Sequence, residues 1–235
     1  MIQENPYIIS AISHRSDGSM MKNKAIQELN ARAFLHAQDI PYETTHFMRQ
    51  VHGSKIAYVD DYTPQIVNSV DGLITDKTGI FLSVVTADCV PITLYDQTSN
   101  IVGVAHAGYR GILSGVVNNL VSTARDLGSE NHTMQFIIGA SIGSCCYDIP
   151  EDRADAFFNT FKSEDIFRYH GDKIFLNLSE VVNVILKDEH IPKENIMLNG
   201  VCTKCNNDLY FSYRGDSSDT FGQFMTVVGM KEGYI

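Results

Sequence analysis

T-A-D-C-V-P (residues 86–91) and A-H-A-G-Y-R-G (residues 105–111) stand at the ends of two apolar runs, 80–85 and 101–105. Each run has strand length and β-branched content, and each stops on a residue able to bind a metal or act as a nucleophile. Behind the second run, Ile112, Leu113, Val116, Val117, Leu120, Val121 and Ala124 recur in adjacent pairs every four positions, which predicts a helix with one buried face. Cys89 and His106 are thus expected at strand ends, beside a glycine-flanked Arg110 that opens a helix.

Working outward, strands are expected over 7–12, 43–48, 55–59, 70–75, 90–94, 134–138, 196–198 and 223–228. Helices are expected over 23–38, closed by Pro41, over 151–161 after Pro150, and around 181–186, where Asn177 or Ser179 supplies the cap. Residues 63–69 read as a polar link. Strands outnumber helices, and short strand-to-strand connections alternate with helical crossovers. The expectation is an α+β fold, a single domain of mixed β-sheets flanked by helices over 1–235.

The chain has 235 residues, 44% hydrophobic and 20% charged, a globular composition. Its formal charge of −10 argues against a nucleic-acid partner, which requires a basic face. Arg49, Lys55 and Arg110 lie singly around the two words, a pattern suited to a small anionic ligand. Met1–Pro6 carries no basic segment before an apolar one, so no secretory signal is expected, and no apolar run reaches the ~20 residues of a membrane helix. Five cysteines, two of them adjacent at Cys145 and Cys146, disfavour a disulfide framework and predict a reduced, cytoplasmic protein.

His52, Cys89 and His106 each fall at or beside an expected strand end. A thiolate and two imidazoles suit Zn²⁺ with a fourth position left open. Two other readings use the same residues: Cys89 as a buried small hydrophobe with hydrogen-bonded histidines, or Cys89 as a nucleophile with His106 or His52 as base. Gly108, Arg110 and Gly111 make either an anion pocket at a helix start or a structural turn with Arg110 in an ion pair. Asp71, Asp88 and Asp148 are candidate acid–base groups or carboxylates behind a ligating histidine, with Asp71, beside a glycine, reading first as a turn former. Cys202-x-x-Cys205 has no evident partner pair, and Cys145-Cys146 reads as buried or site-lining.

Six words in order resemble one family: Q-V-H-G (50–53), D-G-L-I-T (71–75), T-A-D-C-V-P (86–91), G-V-A-H-A-G-Y-R-G (103–111), I-G-A-S-I-G-S-C-C-Y-D (138–148), and C-T with F-S-Y-R (202–214). Together they resemble the YfiH family, formerly the laccase-domain or multicopper polyphenol oxidase family. The resemblance implies an α+β fold distantly similar to the catalytic domain of cytotoxic necrotizing factor toxins. It implies zinc on His52, Cys89 and His106, with copper as the alternative metal. It implies purine nucleoside phosphorolysis (adenosine, inosine or guanosine, methylthioadenosine) and adenosine deamination, so the expected partners are a purine nucleoside and phosphate. On this reading Asp88 handles protons, while Arg110, Gly108, Tyr109, Arg49 and Cys146 contact substrate or phosphate. A Cys–His hydrolase or amidase acting on peptidoglycan precursors, and a copper-dependent phenol oxidase, are the alternatives; eight histidines without clustering are few for several coppers. The chain departs from the family pattern at Tyr109, where tryptophan is usual, at Ala140-Ser141, which lacks a proline, and at Gln223, where the pattern closes in arginine.

Overall fold

Alternation along the long strands sends successive side chains to opposite faces, and that period sorts the core into layers. The computed structural model describes residues 7–20 and 25–231. Met1–Pro6, read above for a signal, and the expected start of the first helix at Asn23 lie outside the described residues.

The first half of the chain contains β1 (Ile8–Ile12), α1 (Ala25–Ala37), β2 (Thr45–Arg49), β3 (Ile56–Tyr58), β4 (Ile66–Asn68) and β5 (Gly72–Thr75). Next come β6 (Phe81–Thr86), β7 (Val90–Asp96), β8 (Ile101–Ala107), α2 (Tyr109–Leu113) and α3 (Val116–Asp126). The remainder holds β9 (Gln135–Ile138), β10 (Asp148–Ile149), α4 (Glu151–Phe161), β11 (Phe167–His170), β12 (Lys173–Leu176), α5 (Leu178–Asp188), β13 (Ile196–Leu198) and β14 (Phe224–Met230).

A six-stranded sheet runs β13-β9-β7-β8-β5-β3 and a five-stranded sheet runs β1-β14-β6-β2-β4. Both are mixed: β3 and β5, β9 and β13, β2 and β4, and β2 and β6 pair parallel, the other neighbours antiparallel. Leu73, Val102 and Val104 of the first sheet meet Leu82, Val84 and Val228 of the second in one buried cluster. The opposite face of the six-stranded sheet, with Ile92, Leu94 and Ala105, packs on α3 and α5. The opposite face of the five-stranded sheet, with Phe47, Phe81 and Val227, packs on Phe34 and Leu35 of α1. The outcome is the mixed α+β architecture expected from the sequence, in the layer order helix, sheet, sheet, helix.

With layers on both of its faces, β7 is buried at all seven positions, which is why it reads as a near-continuous apolar run. Val116, Val117, Leu120 and Val121 of α3 are all fully buried. Each such side chain contributes about 1.5–3 kcal/mol relative to exposure, so packing rather than propensity holds this helix. Along one side of it Arg125 Nη1 donates to Glu189 Oε2 (2.7 Å) and Asn118 Nδ2 to Glu189 Oε1 (2.7 Å), which ties α3 to the end of α5.

Three details differ from expectation. The helix pattern after His106 is two helices, because the chain leaves α2 at Ser114 and passes through Gly115 at φ 85° before α3 begins. The polar link at 63–69 contains the edge strand β4, whose pairing with β2 no periodicity announces. A small antiparallel sheet, β10-β12-β11, has no counterpart among the expected strands; its strands are two to four residues long. Asn177 caps α5 as expected, its side chain accepting from the Glu180 N–H. Among the described residues no helix is long and apolar enough to cross a membrane.

Candidate metal centre and cavity

Neighbouring strand ends bring His52, Cys89 and His106 together. His52 lies on the β2–β3 connection, Cys89 ends the turn between β6 and β7, and His106 lies near the end of β8, opposite Pro91 of β7. One ligand atom from each lies within 4.8 Å of the others. The two imidazoles meet edge-on, with ring centroids 4.6 Å apart and planes at 80°.

Asp71 holds this arrangement. It is fully buried, and its Oδ1 accepts from His106 Nδ1 (2.9 Å) and the His52 N–H (2.9 Å). Its Oδ2 accepts from the N–H groups of Gly53 (2.7 Å) and Val51 (3.1 Å). With Nδ1 committed to the carboxylate, Nε2 is the His106 nitrogen left for a metal or a proton, the usual arrangement behind a ligating histidine. His52 has φ 58° and Asp88 φ 87°. Such conformations cost roughly 1–3 kcal/mol each in a non-glycine residue and persist where surrounding bonds over-determine them. The Asp71 carboxylate does this for His52. For Asp88 the side chain does it, with Oδ1 accepting from the hydroxyls of Thr203 and Ser212 (2.7 Å each) and Oδ2 from the Arg214 N–H (2.7 Å).

Electrostatics follow from these contacts. Burial pushes the Cys89 thiol up, but its hydrogen bonds with His106 and His52 outweigh burial and bring it down to about 7. Burial pushes His106 down, yet Asp71 and Cys89 outweigh it and raise its pKa to about 9. Burial disfavours the Asp71 carboxylate, and His106 with the Gly53 and Val51 amides more than offsets that, leaving it below the ordinary value. A low-pKa thiol and two imidazoles, one backed by a carboxylate, form a donor set that fits a zinc ion. The approach is tight: a Cβ on Gly108 would stand 2.9 Å from Cys89 Sγ and 3.1 Å from His52 Cδ2.

The three residues open onto a cavity of about 990 Å³. Its wall carries the cations Arg49, Arg153 and Arg214, the rings Tyr109, Tyr147, Tyr213 and Phe221, and one carboxylate, Asp88. Arg153 lies over the Tyr109 ring, 4.0 Å from its centroid. In a chain of charge −10 this is a local cationic excess.

Sequence expectations divide here. Tyr109 and Arg49 line the cavity. Arg110 does not: its neighbour Tyr109 takes the cavity-facing position of α2, and a step of about 100° around a helix turns the next side chain outward. Its Nε donates instead to the Tyr109 hydroxyl (3.0 Å), and α2, five residues long, offers little dipole for an anion. Lys55 is also absent from the wall. Gly108 sits beneath the ligands rather than in the wall. Cys146 is not among the wall residues either: Tyr147 faces the cavity, while the Cys146 thiol lies 3.4 Å from Cys205 Sγ. Asp88 reaches the wall, but both oxygens already accept hydrogen bonds, so the geometry makes it an anchor for the 203–214 segment rather than a free proton carrier.

The sequence names Asp71 as a candidate carboxylate behind a ligating histidine but reads it first as a turn former; Tyr147 and Arg214 enter only inside motif words, and Arg153 does not enter at all. Aspartate before glycine usually makes a turn, which is why that reading comes first for Asp71. The signal lay in pairing, because β5 begins beside it and runs antiparallel to β8, with Gly72 opposite Ala105.

The model of the family described as multi-copper polyphenol oxidoreductase laccase matches residues 15–231. The purine nucleoside phosphorylase YlmD of Bacillus subtilis (strain 168) is 28% identical, over 98% of this chain and 91% of that protein. An adenosine deaminase, RL5, from an unknown prokaryotic organism is 29% identical, over 81% of this chain and 77% of that protein. The crystal structure of the hypothetical protein YfiH of Bacillus licheniformis superposes with a TM-score of 0.89 at 26% identity, covering 95% of this chain and 93% of that one.

Proposed function

This chain belongs to the multi-copper polyphenol oxidoreductase laccase family, and from that premise we propose that it is a zinc-dependent purine nucleoside phosphorylase that also deaminates adenosine. Its substrates on this reading are adenosine, inosine or guanosine, and methylthioadenosine, with phosphate as the second reactant, in the cytoplasm. One observation carries the reading: the His52–Cys89–His106 group opens on a cavity whose wall includes three arginines and four aromatic rings among aliphatic and amide side chains. The volume is ample for a nucleoside with phosphate, at the upper end of the usual ~300–1,000 Å³ for ligand pockets. The names borne by the relatives, purine nucleoside phosphorylase and adenosine deaminase, support an enzyme of this class.

His52, Cys89 and His106 are the residues that would hold zinc. A zinc ion in such a site supplies Lewis acidity at neutral pH. The chain's own groups account for the rest. Asp71 fixes the His106 tautomer through its carboxylate, holds the His52 N–H with the same carboxylate, and accepts the His106 N–H at its backbone carbonyl (2.8 Å). Arg153 and Arg49 present guanidinium groups for phosphate, which binds such forks bidentately, while the Arg214 guanidinium donates to Asp148 Oδ1 (3.1 Å) and adds its charge from an ion pair. The Tyr109 ring already carries Arg153 on one face. Tyr147, Tyr213 and Phe221 offer faces for the purine. Asp88 positions Arg214 through its backbone N–H and Tyr213 by way of Ser212.

A second reading has its own observation. Cys89 with a pKa of about 7, His106 beside it and Asp71 behind His106 form the order nucleophile, base and orienting carboxylate of a cysteine hydrolase. Copper is a competitor for the same donors. The test is metal quantification on the purified protein with a product screen on adenosine, inosine, guanosine and methylthioadenosine, with and without phosphate. Zinc with phosphate-dependent base release supports the proposal. Metal-free turnover blocked by alkylating Cys89 supports the hydrolase, and phenol oxidation confined to copper-loaded protein supports the oxidase.

A further inference from the structure

Cys202-x-x-Cys205 has no partner pair in sequence, and the fold supplies one. A parallel bridge joins Ser141 to Cys202, and the Thr203 N–H donates to the Ser141 carbonyl (3.0 Å). This lays the 202–205 turn on the turn that carries Cys145 and Cys146. All four thiols lie within 4.8 Å of one another, and Cys205 Sγ is 3.4 Å from both Cys145 Sγ and Cys146 Sγ.

We propose that Cys145, Cys146, Cys202 and Cys205 form a second metal centre, a structural site for a thiophilic divalent cation of the zinc class, separate from the His52–Cys89–His106 group. A cysteine poised for one disulfide approaches one partner, whereas Cys205 approaches two equally. Tetrahedral zinc with bonds of about 2.3 Å holds its sulfurs about 3.8 Å apart, within the spread found here. The N–H groups of Gly143 (3.2 Å) and Cys205 point at Cys202 Sγ and would share its charge when ionised. Soft thiolates select zinc-like cations over magnesium or calcium. As each metal–sulfur bond forms, the thiol proton leaves to solvent and no redox change occurs.

The surrounding chain gives this site a task. Residues 201–223 contain no helix and no strand beyond the single bridge at Cys202. Stretches longer than about 12–15 residues without secondary structure are uncommon inside a compact fold. This one buries few apolar side chains, chiefly Cys202, Tyr210 and Phe211. Yet it supplies Thr203, Ser212 and Arg214 to Asp88 and places Tyr213 and Phe221 in the cavity wall. A cation shared with the 143–147 turn would fasten the start of this segment beside Tyr147, on the same cavity.

The test titrates reduced, metal-stripped, full-length protein with zinc alone and then with cobalt(II) alone. Wild type is expected to take up about two zinc ions per chain, and both Cys145→Ser/Cys205→Ser and His52→Ala/His106→Ala about one. Cobalt in the histidine double variant should give thiolate-to-metal charge transfer and a strong tetrahedral ligand-field spectrum. Uptake of one ion by wild type, abolished in the histidine variant and unchanged in the cysteine variant, overturns the proposal. Should the cysteine variant fail to fold, alkylation mapped by mass spectrometry on the histidine variant decides. Zinc is expected to protect the exposed Cys145 and Cys205, and equal alkylation with and without zinc overturns the site.

Discussion

Asp71 Oδ1 lies 2.9 Å from His106 Nδ1, and neither side chain has more than a few per cent of its surface in contact with solvent. The same carboxylate accepts three backbone N–H groups from the 51–53 segment, so one residue sets the tautomer of one candidate ligand and the backbone of another. Asp71→Asn keeps the shape, loses the charge and turns an amide donor toward groups that are all donors. Zinc affinity is expected to fall by about 10–100-fold, and stability by about 1–3 kcal/mol through unpaired buried groups. Chelator competition and urea denaturation measure the two; unchanged affinity would remove Asp71 from the site.

Asp88→Asn should separate anchoring from proton transfer. Loss of the charge that Thr203, Ser212 and Arg214 donate to is expected to cost at least about 2 kcal/mol of stability. The KM for nucleoside should rise, while the pH profile of kcat keeps both its limbs. A lost limb would return Asp88 to acid–base chemistry.

Anion contacts are expected from Arg153 rather than Arg110. Arg153→Ala should raise the KM for phosphate by about tenfold or more, the equivalent of ~1.4 kcal/mol. Arg110→Ala, altering a side chain outside the cavity wall, should leave that KM within about twofold, as for surface substitutions generally. Steady-state kinetics with varied phosphate distinguish them, and the reverse ranking would restore Arg110 as the phosphate contact.

Gly108→Ala introduces a methyl 2.9 Å from Cys89 Sγ and 3.1 Å from His52 Cδ2. Crowding at this point is expected to displace a ligand and weaken zinc binding by about tenfold or more, on the scale of other perturbations around ligating residues. Isothermal titration against Asp71→Asn and wild type would rank the effects.

Acid stability has a predicted sign at the α3–α5 junction. Burial disfavours the Glu189 carboxylate, but Asn118 and Arg125 more than compensate and hold its pKa below the ordinary 4.5. Its contribution is therefore complete above that ordinary value and is lost as pH falls through the lower, folded value. Glu189→Gln should be less stable than wild type at neutral pH and lose less on acidification, so the two urea midpoints should converge toward pH 3. Parallel midpoints across that range would contradict the linkage.

Much of this fold was legible because burial leaves a period. Val116, Val117, Leu120 and Val121 repeat as a helix face does, and β6, β7 and β8 are β-branched runs of strand length. Elements with little core to announce them were not legible: β4 is an edge strand of three residues, and β10 pairs only two. At the site, residue types and strand-end positions group His52, Cys89 and His106 but leave them open between ligand, nucleophile and core; the family words favour the ligand reading. The choice between turn former and histidine partner for Asp71 depends on strand pairing, the place of Arg153 on the packing of α4, and the four-cysteine cluster on a bridge between distant turns. Spacing in sequence carries no trace of such contacts.

Zinc content and phosphate-dependent adenine release, measured on the same samples of wild type and His52→Ala/His106→Ala, bear most directly on the central claim. Wild type is expected to release adenine and ribose 1-phosphate from adenosine, and the variant to lose about one zinc ion per chain together with that turnover. Turnover that survives loss of the metal, or zinc-loaded wild type that forms neither adenine nor inosine, would contradict it.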